Sequence, residues 1–548
     1  MTAPSEPTAP AVASPEPPDV APPSAARLAR SAGVVGAATL TSRVLGLARD
    51  QILAYLFGAG NAMDAFNVAY RVPNLMRDLF AEGAMSAAFV PTFTRRLAQR
   101  GRAAAWQVGN QLINALIVVT GLLVLAGMVF ARPLTELLAG DYAAVPGKLE
   151  LTVTLSRIVL PFLTLVALAA VLTGMLNSLN RFFTPAVSPA MFNVGIIFGA
   201  VCLVPAASHL GWNPIVGIAV GMLLGGAGQI ALQVPALLGE GYRYRLELDP
   251  RDRGLRDILM LIGPGTLAGA AVQINVLVNT ILATGEGTGA VSWLNYAFRL
   301  MYLPIGLFGV SIATATLPAV SRSAALNEPD GIRRTVSSAL RMMLMLGVPA
   351  TVGLIVLAGP IVELVFERGS FSADDTRATA AALAFYAPGL LGYSAVRITV
   401  PCFYALGNSL TPTLISVASV ALNVVLNVIL VERIGYRGLA LGTSIAALVN
   451  AGLLCGFLRR SLGGLDTRRL LVAFAKMAVA AALMGAAVAG IHAVLLASWP
   501  GAALAARLVR VAASIGGGLL VLAGCARLLR IREWNDALRY VVARLGAS

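Results

Sequence analysis

ILAYLFGAGNAMDAFNVAYR, residues 52–71, returns as ILATGEGTGAVSWLNYAFR at residues 281–299. Two further stretches repeat at the same distance. AMSAAFVPTFTRR (84–96) matches SIATATLPAVSRS (311–323), and LNSLNRFFTP (176–185) matches ALGNSLTP (405–412). The anchors Arg71/Arg299, Pro91/Pro318 and Pro185/Pro412 lie 228, 227 and 227 residues apart. A near-constant offset over three segments marks an internal duplication. Each copy is long enough for six helices, an even number, so both copies enter a membrane in the same sense. Two parallel lobes related by an axis along the membrane normal form a transporter plan, with the substrate between them.

Composition requires the membrane. The chain has 548 residues, 57% hydrophobic and 12% charged, with mean hydropathy +0.79. A soluble domain carries about 25% charged residues. Apolar runs recur from Ser31 to Leu529. They are too long and too continuously apolar for barrel strands, so the expected fold is all-α and polytopic. Cutting at charged, Pro and Gly breaks gives about fourteen spans. They fall near 28–57, 62–97, 105–131, 148–178, 183–206, 214–238, 255–283, 288–321, 334–358, 373–406, 411–432, 437–458, 466–496 and 502–530. The polar second span is expected to kink near Pro73 and Gly83. The expected divisions are a disordered Pro/Ala-rich cytoplasmic tail (1–27), a six-helix lobe (28–240), a second six-helix lobe (250–460), helices 13 and 14 as an appendix (465–531), and a cytoplasmic C-terminal tail (532–548).

The net charge of +15 is mostly topological. Arginines cluster after the even-numbered spans, as in Arg95, Arg96, Arg100 and Arg102, or Arg243, Arg245, Arg251, Arg253 and Arg256. The opposite loops are poorer in cations or acidic, as at Glu363, Glu367, Asp374 and Asp375, with Arg433 and Arg437 as exceptions. Both termini are therefore expected in the cytoplasm, and nucleic acid is not an expected partner. Cys202, Cys402, Cys455 and Cys525 form no CxxC pair, and His209 and His492 stand alone near span ends. Neither residue type suggests a metal cluster. No GxxxxGK[ST] motif or catalytic constellation occurs, so no enzyme chemistry is expected.

What needs explaining is charge within the spans, each costing roughly 2.5–3.5 kcal/mol on insertion scales. Span 1 carries Arg43, Arg49 and Asp50. Span 2 carries Asp64, Arg71, Arg77, Asp78 and Glu82, span 4 carries Arg157, and span 8 carries Arg299. Arg43 and Asp50 are seven apart and share a helix face, as do Arg71 and Asp78, so internal ion pairs are one use for them. Arg43 and Arg49 lie roughly 120° apart around the helix, so both do not face one point. Arg299 has no acid within a turn. Guanidinium groups bind phosphate through paired hydrogen bonds and keep their charge. The expected ligand is an anion, a phosphate or diphosphate. Arg71, Asp50 and Asp78 are expected to be internal supports.

These stretches resemble the MurJ (MviN) family of lipid II flippases, within the superfamily of multidrug and oligosaccharidyl-lipid exporters. The resemblance is carried by SRVLGLARDQILAYLFGAGNAMDAFNVAYRVPNLMRDLFAEGAMSAAFVPTF (42–93), VSWLNYAFRLMYLPIGLFGVSIATATLPAVSRS (291–323) and LNSLNRFFTPAVSPAMFNV (176–194). It implies fourteen helices, alternating access, and outward movement of lipid II, the undecaprenyl-diphosphate-linked peptidoglycan precursor, across a bacterial inner membrane. The family's essential arginines fall on Arg43, Arg49, Arg77 and Arg299 as diphosphate ligands. Its supporting or gating residues fall on Asp64, Ser292 and Glu82. Where some members have an acid before the span-8 arginine, this chain has Phe298. A sodium site of some members falls on Asn279, Asn423, Asn427, Thr443 and the carbonyl of Leu439, with amides where carboxylates are expected. No other cofactor is implied. Implied partners are lipid II, membrane lipids and cell-wall synthesis enzymes. The alternatives are export of another polyprenyl-diphosphate oligosaccharide, a cation-coupled multidrug exporter of the same fold, and a scaffold for wall synthesis.

Overall fold

The computed structural model describes residues 25–79, 85–249, 252, 256, 258, 260, 273–501, 503–531, 533 and 534. Nearly all of both expected tails, and Glu82 and Gly83, lie outside the described residues. Among the described residues every regular element is helical.

The N-terminal lobe runs α1 (Ala25–Phe57), α2 (Asn61–Leu79), α3 (Met85–Val129), α4 (Ala131–Ala139), α5 (Lys148–Val159), α6 (Phe162–Ser178), α7 (Phe183–Phe198), α8 (Val204–His209) and α9 (Ile215–Gly239). The second lobe runs α10 (Gln273–Thr284), α11 (Ala290–Pro304), α12 (Val310–Ala325), α13 (Pro329–Val356), α14 (Ala358–Phe366), α15 (Ala373–Tyr386), α16 (Gly389–Ala405), α17 (Leu410–Ile434) and α18 (Tyr436–Ser461). Helices α19 (Thr467–Ser498) and α20 (Leu504–Leu528) follow. Among the described residues nine helical spans are long and apolar enough to cross a membrane, or ten if the bent pair α15–α16 is one span. The expected fourteen is not reached by this measure. Helix α2 has 19 residues with Asp64, Arg71, Arg77 and Asp78 among them, and α10 is described only from Gln273. The kink expected at Pro73 is absorbed within α2, and the turn between spans 2 and 3 falls at Gly101, whose φ of 80° breaks α3.

Glycines set how closely the helices approach. A β-carbon on Gly195 would meet the backbone of Gly225, and one on Gly199 would meet that of Gly217 and Gly221. Helices α7 and α9 therefore pack backbone to backbone through small-xxx-small rows on both partners. In the second lobe Gly392 lies on the backbone of Ala447, and Gly438 on that of Leu430.

The segment leaving the first lobe, 242–249, has no regular secondary structure and is tied to α3. Asn110 Nδ2 donates to the Arg243 carbonyl at 3.2 Å, and Asn114 Nδ2 to those of Arg245 and Glu247 at 2.9 Å each. The last two helices are more firmly held than an appendix would be. Arg507 of α20 pairs with Glu363 at 3.0 Å and Glu367 at 3.1 Å, and Arg341 of α13 pairs with Glu533 at 2.6 Å. These clamps join both ends of the α19–α20 hairpin to the second lobe.

Candidate functional site: an arginine cavity under an interlobe seal

Helices α2 and α11 meet across the lobes at the end where α1 turns into α2. Helix α11 has Gly289 as its N-cap and no side-chain cap of its own. Asp64 of α2 caps it from the other lobe. Its carboxylate accepts from Gly289 N at 2.7 Å, Ser292 N at 3.1 Å and Ser292 Oγ at 2.7 Å. A carboxylate at a helix N-terminus meets unpaired N–H groups and the positive end of the dipole. Asp64 is fully buried, and its charge is matched by Lys148 Nζ at 3.0 Å. Asn67 Nδ2 donates to Ser292 Oγ at 3.1 Å, and Thr288 Oγ1 donates to Asn61 Oδ1 at 2.8 Å. Ser370 N donates to the Tyr55 carbonyl at 2.9 Å. Gly58 and Gly369, with φ of 57° and 59°, interlock there, since a β-carbon on either would overlap the opposite backbone.

Beyond this seal lies a cavity of about 380 Å³. Its cationic walls are Arg49, Arg71, Arg77 and Arg299, and Asn67, Asn74, Asn193 and Asn295 add amides. Among the described residues no carboxylate lines it. Asp50 sits behind the wall and is buried. Arg49 donates to Asp50 Oδ1 through Nε at 3.0 Å and Nη2 at 2.8 Å, while its Nη1 donates to Asn193 Oδ1 at 2.9 Å. The Arg49 guanidinium also lies 5.5 Å from the Phe192 ring centre. Arg299, which has no acid on its own helix nearby, pairs with the same Asp50 oxygen from the other lobe.

The cavity thus gathers three of the four expected diphosphate ligands, Arg49, Arg77 and Arg299, and adds Arg71. Arg43 does not line it. Arg43 is exposed, and its guanidinium lies over Gly306, in the space a β-carbon would take. The expected Arg43–Asp50 pairing along α1 gives way because Asp50 is taken by Arg49 and Arg299. The side chain of Asp78 lies outside the described ones. Lys148 and Asn193 escaped the sequence reading. The chain uses lysine only twice, at Lys148 and Lys476, and that rarity was the available signal.

The expected sodium residues form an amide cluster. Asn427 Nδ2 donates to Asn423 Oδ1 at 3.0 Å and also to Asn279 Oδ1. Thr443 Oγ1 donates to the Leu439 carbonyl at 2.7 Å. Asn279, Leu439 and Thr443 line a second cavity of about 140 Å³, which Arg71 and Asn295 share with the first. The set is neutral and its oxygens largely accept from one another, while Asn427 Oδ1 is a buried acceptor with no hydrogen-bond partner. These residues fit interhelical ties better than a cation cage.

The lipid II flippase MurJ family model matches residues 53–509. A probable lipid II flippase MurJ of Vibrio cholerae is 35% identical over 465 residues, covering 84% of this chain and 88% of the relative. The lipid II flippase MurJ of Burkholderia cenocepacia is 33% identical over 437 residues, covering 79% and 84%. A solved lipid II flippase MurJ in an inward closed conformation superposes with a TM-score of 0.75 at 26% identity, covering 90% of this chain and 99% of that one. An inward-facing multidrug transporter of the MATE family shares the fold at a TM-score of 0.66 and 18% identity, over 79% of this chain and 98% of that one. Family model, relatives and fold agree over most of the length, and the chain belongs to the lipid II flippase MurJ family.

Proposed function

We propose that this chain moves lipid II from the cytoplasmic to the outer leaflet by alternating access, with the diphosphate held by Arg49, Arg77 and Arg299. The observation that carries the reading is the cavity between the lobes, with four arginines and, among the described residues, no carboxylate in its walls. Asp50 offsets part of the charge of Arg49 and Arg299, and four guanidiniums around one space still favour an anion. A diphosphate offers paired oxygens to planar guanidiniums. Asp50 holds Arg49 and Arg299 in place until it arrives.

The seal of Asp64 on the α11 N-terminus closes one end, and the positive-inside pattern supports putting that end at the outer face, with both termini cytoplasmic. Substrate enters from the other side, its lipid tail remaining in the bilayer. Rocking of the lobes then breaks the seal. Its charged hydrogen bonds are worth about 1.5–3 kcal/mol each and the neutral ones about 1 kcal/mol. Inverting a two-state population from 1:99 to 99:1 takes about 5.5 kcal/mol of differential binding, which a multiply bonded diphosphate is able to supply. Arg43, beside Gly306, acts on the lobe contact rather than within the cavity. The amide cluster ties helices together, and no step runs through a bound sodium ion.

Depletion of a host's own flippase, with this chain supplied in its place, tests the reading through lipid II exposed on the outer surface. Wild type restores exposure, and Arg77→Ala and Arg299→Ala proteins that insert normally do not. Full transport by those variants would refute the arginine site, and failure of the wild type would refute the substrate.

A further inference from the structure

Arg77, Pro189 and Phe192 wall the arginine cavity on one side and a second chamber on the other. This side chamber, of about 250 Å³, lies inside the first lobe between α2, α6, α7 and α9. Its character differs from that of the arginine cavity. Arg77, at the junction, is its one charged lining residue among the described residues. Phe162 and Phe192 form an aromatic corner, with ring centres 5.3 Å apart and planes tilted by 47°. Thr173, Ser188 and Gln229 are the neutral polar groups.

These polar groups are built in. The fully buried Gln233 fixes two of them from behind: Thr173 Oγ1 donates to its Oε1 at 2.9 Å, and its Nε2 donates to Ser188 Oγ at 2.9 Å. Gln229 is itself only 8% exposed, yet among the described residues its side-chain amide makes no hydrogen bond. Its amide atoms keep accessible surface, so whatever occupies the chamber, water or ligand, completes their bonding. A hydrocarbon tail in the chamber would leave that amide unpaired. An anion would find a single cation, at the doorway. A sugar ring suits all three features: hydroxyl and amide groups for Gln229, Ser188 and Thr173, C–H faces for the two phenyl rings, and a phosphate leaving towards Arg77. At about 30 Å³ per water the chamber holds roughly eight waters, room for one sugar ring and not for a disaccharide with its peptide.

We propose that this chamber is a subsite for the sugar ring joined directly to the diphosphate of the transported lipid. Gln229 is its recognising amide, and Arg77 is the hinge between sugar and diphosphate sites. The inference rests on the proposed function and deepens it. It makes the protein a reader of the sugar as well as of the charge, so a bare polyprenyl diphosphate binds without the contribution of this chamber.

The test compares lipid II with undecaprenyl diphosphate, which lacks the sugars, in binding titrations on the purified full-length protein in detergent. Gln229→Leu keeps the side-chain volume and removes an unpaired amide, so the fold tolerates it, which a melting curve verifies. Ala170→Phe fills the chamber from another wall. Both variants are expected to bind lipid II at least tenfold more weakly and undecaprenyl diphosphate within twofold of wild type, whereas Arg77→Ala weakens both ligands. Unchanged lipid II affinity in Gln229→Leu and Ala170→Phe, with Arg77→Ala still weakening both ligands, overturns the subsite and leaves the diphosphate site standing. An equal loss of both ligands in Ala170→Phe assigns the chamber to the lipid tail and also overturns it. A wild type that binds neither ligand removes the proposed function and the subsite with it.

Discussion

Asp64 and Ser292 stand 228 positions apart in the chain and 2.7 Å apart in space. That offset is the one relating the two copies of the repeat, so the hydrogen bond joins equivalent positions and lies on the axis between the lobes. Moving inward, the next equivalent pairs are Asn67/Asn295 and Arg71/Arg299, and all four residues line the arginine cavity. The cavity is therefore walled twice by one ancestral helix, once from each lobe. Duplication put Arg71 and Arg299 there as a pair, and the seal sits where the two copies cross.

The seal predicts a conformational effect for Ser292→Ala. The variant loses the hydroxyl that donates to Asp64 and accepts from Asn67. A bond to a buried charge is worth about 1.5–3 kcal/mol, and 1.4 kcal/mol is tenfold in a population. Spin labels at Asn61 and Thr288, whose side chains touch in the closed state, should show a separated population at least ten times larger than in the parent. An unchanged distance distribution would mean that Gly58 and Gly369 hold the lobes without Asp64.

Asp50 predicts an opposition between binding and transport. It accepts from Arg49 and Arg299 at once, so an incoming diphosphate competes with it for both. Asp50→Asn removes the competitor. Undecaprenyl diphosphate should bind about tenfold more tightly, or 1.4 kcal/mol, while lipid II exposure slows because release is no longer assisted. Stability should fall by about 1–2 kcal/mol, since two part-buried guanidiniums lose their carboxylate. Titration of purified protein decides it: weaker binding would make Asp50 a positioning group rather than a competitor.

Much of this was legible in the chain. Spans and the repeat follow from long apolar runs and a fixed offset, which the bilayer and the duplication impose on the sequence itself. Arg49, Arg77 and Arg299 were legible because charge in a span is too costly to be incidental. Partners across the lobes were not. Asp50 and Arg299 are 249 residues apart, and no helical spacing connects them. Lys148 reads as an ordinary residue at a span edge until Asp64 is seen beside it. Arg43 and Asp50 share a face of α1, yet Asp50 pairs with Arg49 and Arg299 while Arg43 lies over Gly306, so spacing alone predicted a pair that does not form.

The glycine rows predict a local packing defect. Gly225 meets Phe192 and Met191 through backbone atoms at about 3 Å from its would-be β-carbon. Gly225→Val should push α7 from α9 and, through Phe192 and Asn193, loosen the wall that holds Arg49. Overpacking costs about 1–3 kcal/mol or more. A melting midpoint several degrees lower is expected, with Gly121→Val, which meets nothing within 4 Å, as the unaffected control.

The two copies differ at Asp50, and that difference predicts an ion dependence. DQILA at 50–54 corresponds to NTILA at 279–283, so the counterpart of Asp50 is the neutral Asn279. In the first lobe the acid holds Arg49 and Arg299. In the second, Asn279 accepts from Asn427 and lines the smaller cavity together with Arg71. Asn279→Asp restores a carboxylate among the Leu439 carbonyl, the Thr443 hydroxyl and the unpartnered Asn427 oxygen. Such a cluster of hard oxygens with one negative charge suits a small cation. The parent protein should melt at the same temperature in sodium chloride and in choline chloride. The variant should be stabilised by sodium in a saturable manner, following the ligand-linkage relation for a site absent from the unfolded chain. If the parent is itself stabilised by sodium, the amides do form a cation cage and their reading as interhelical ties fails. If the variant ignores sodium, the introduced carboxylate has been claimed by Arg71, and its transport should then fall because a cavity cation has been neutralised.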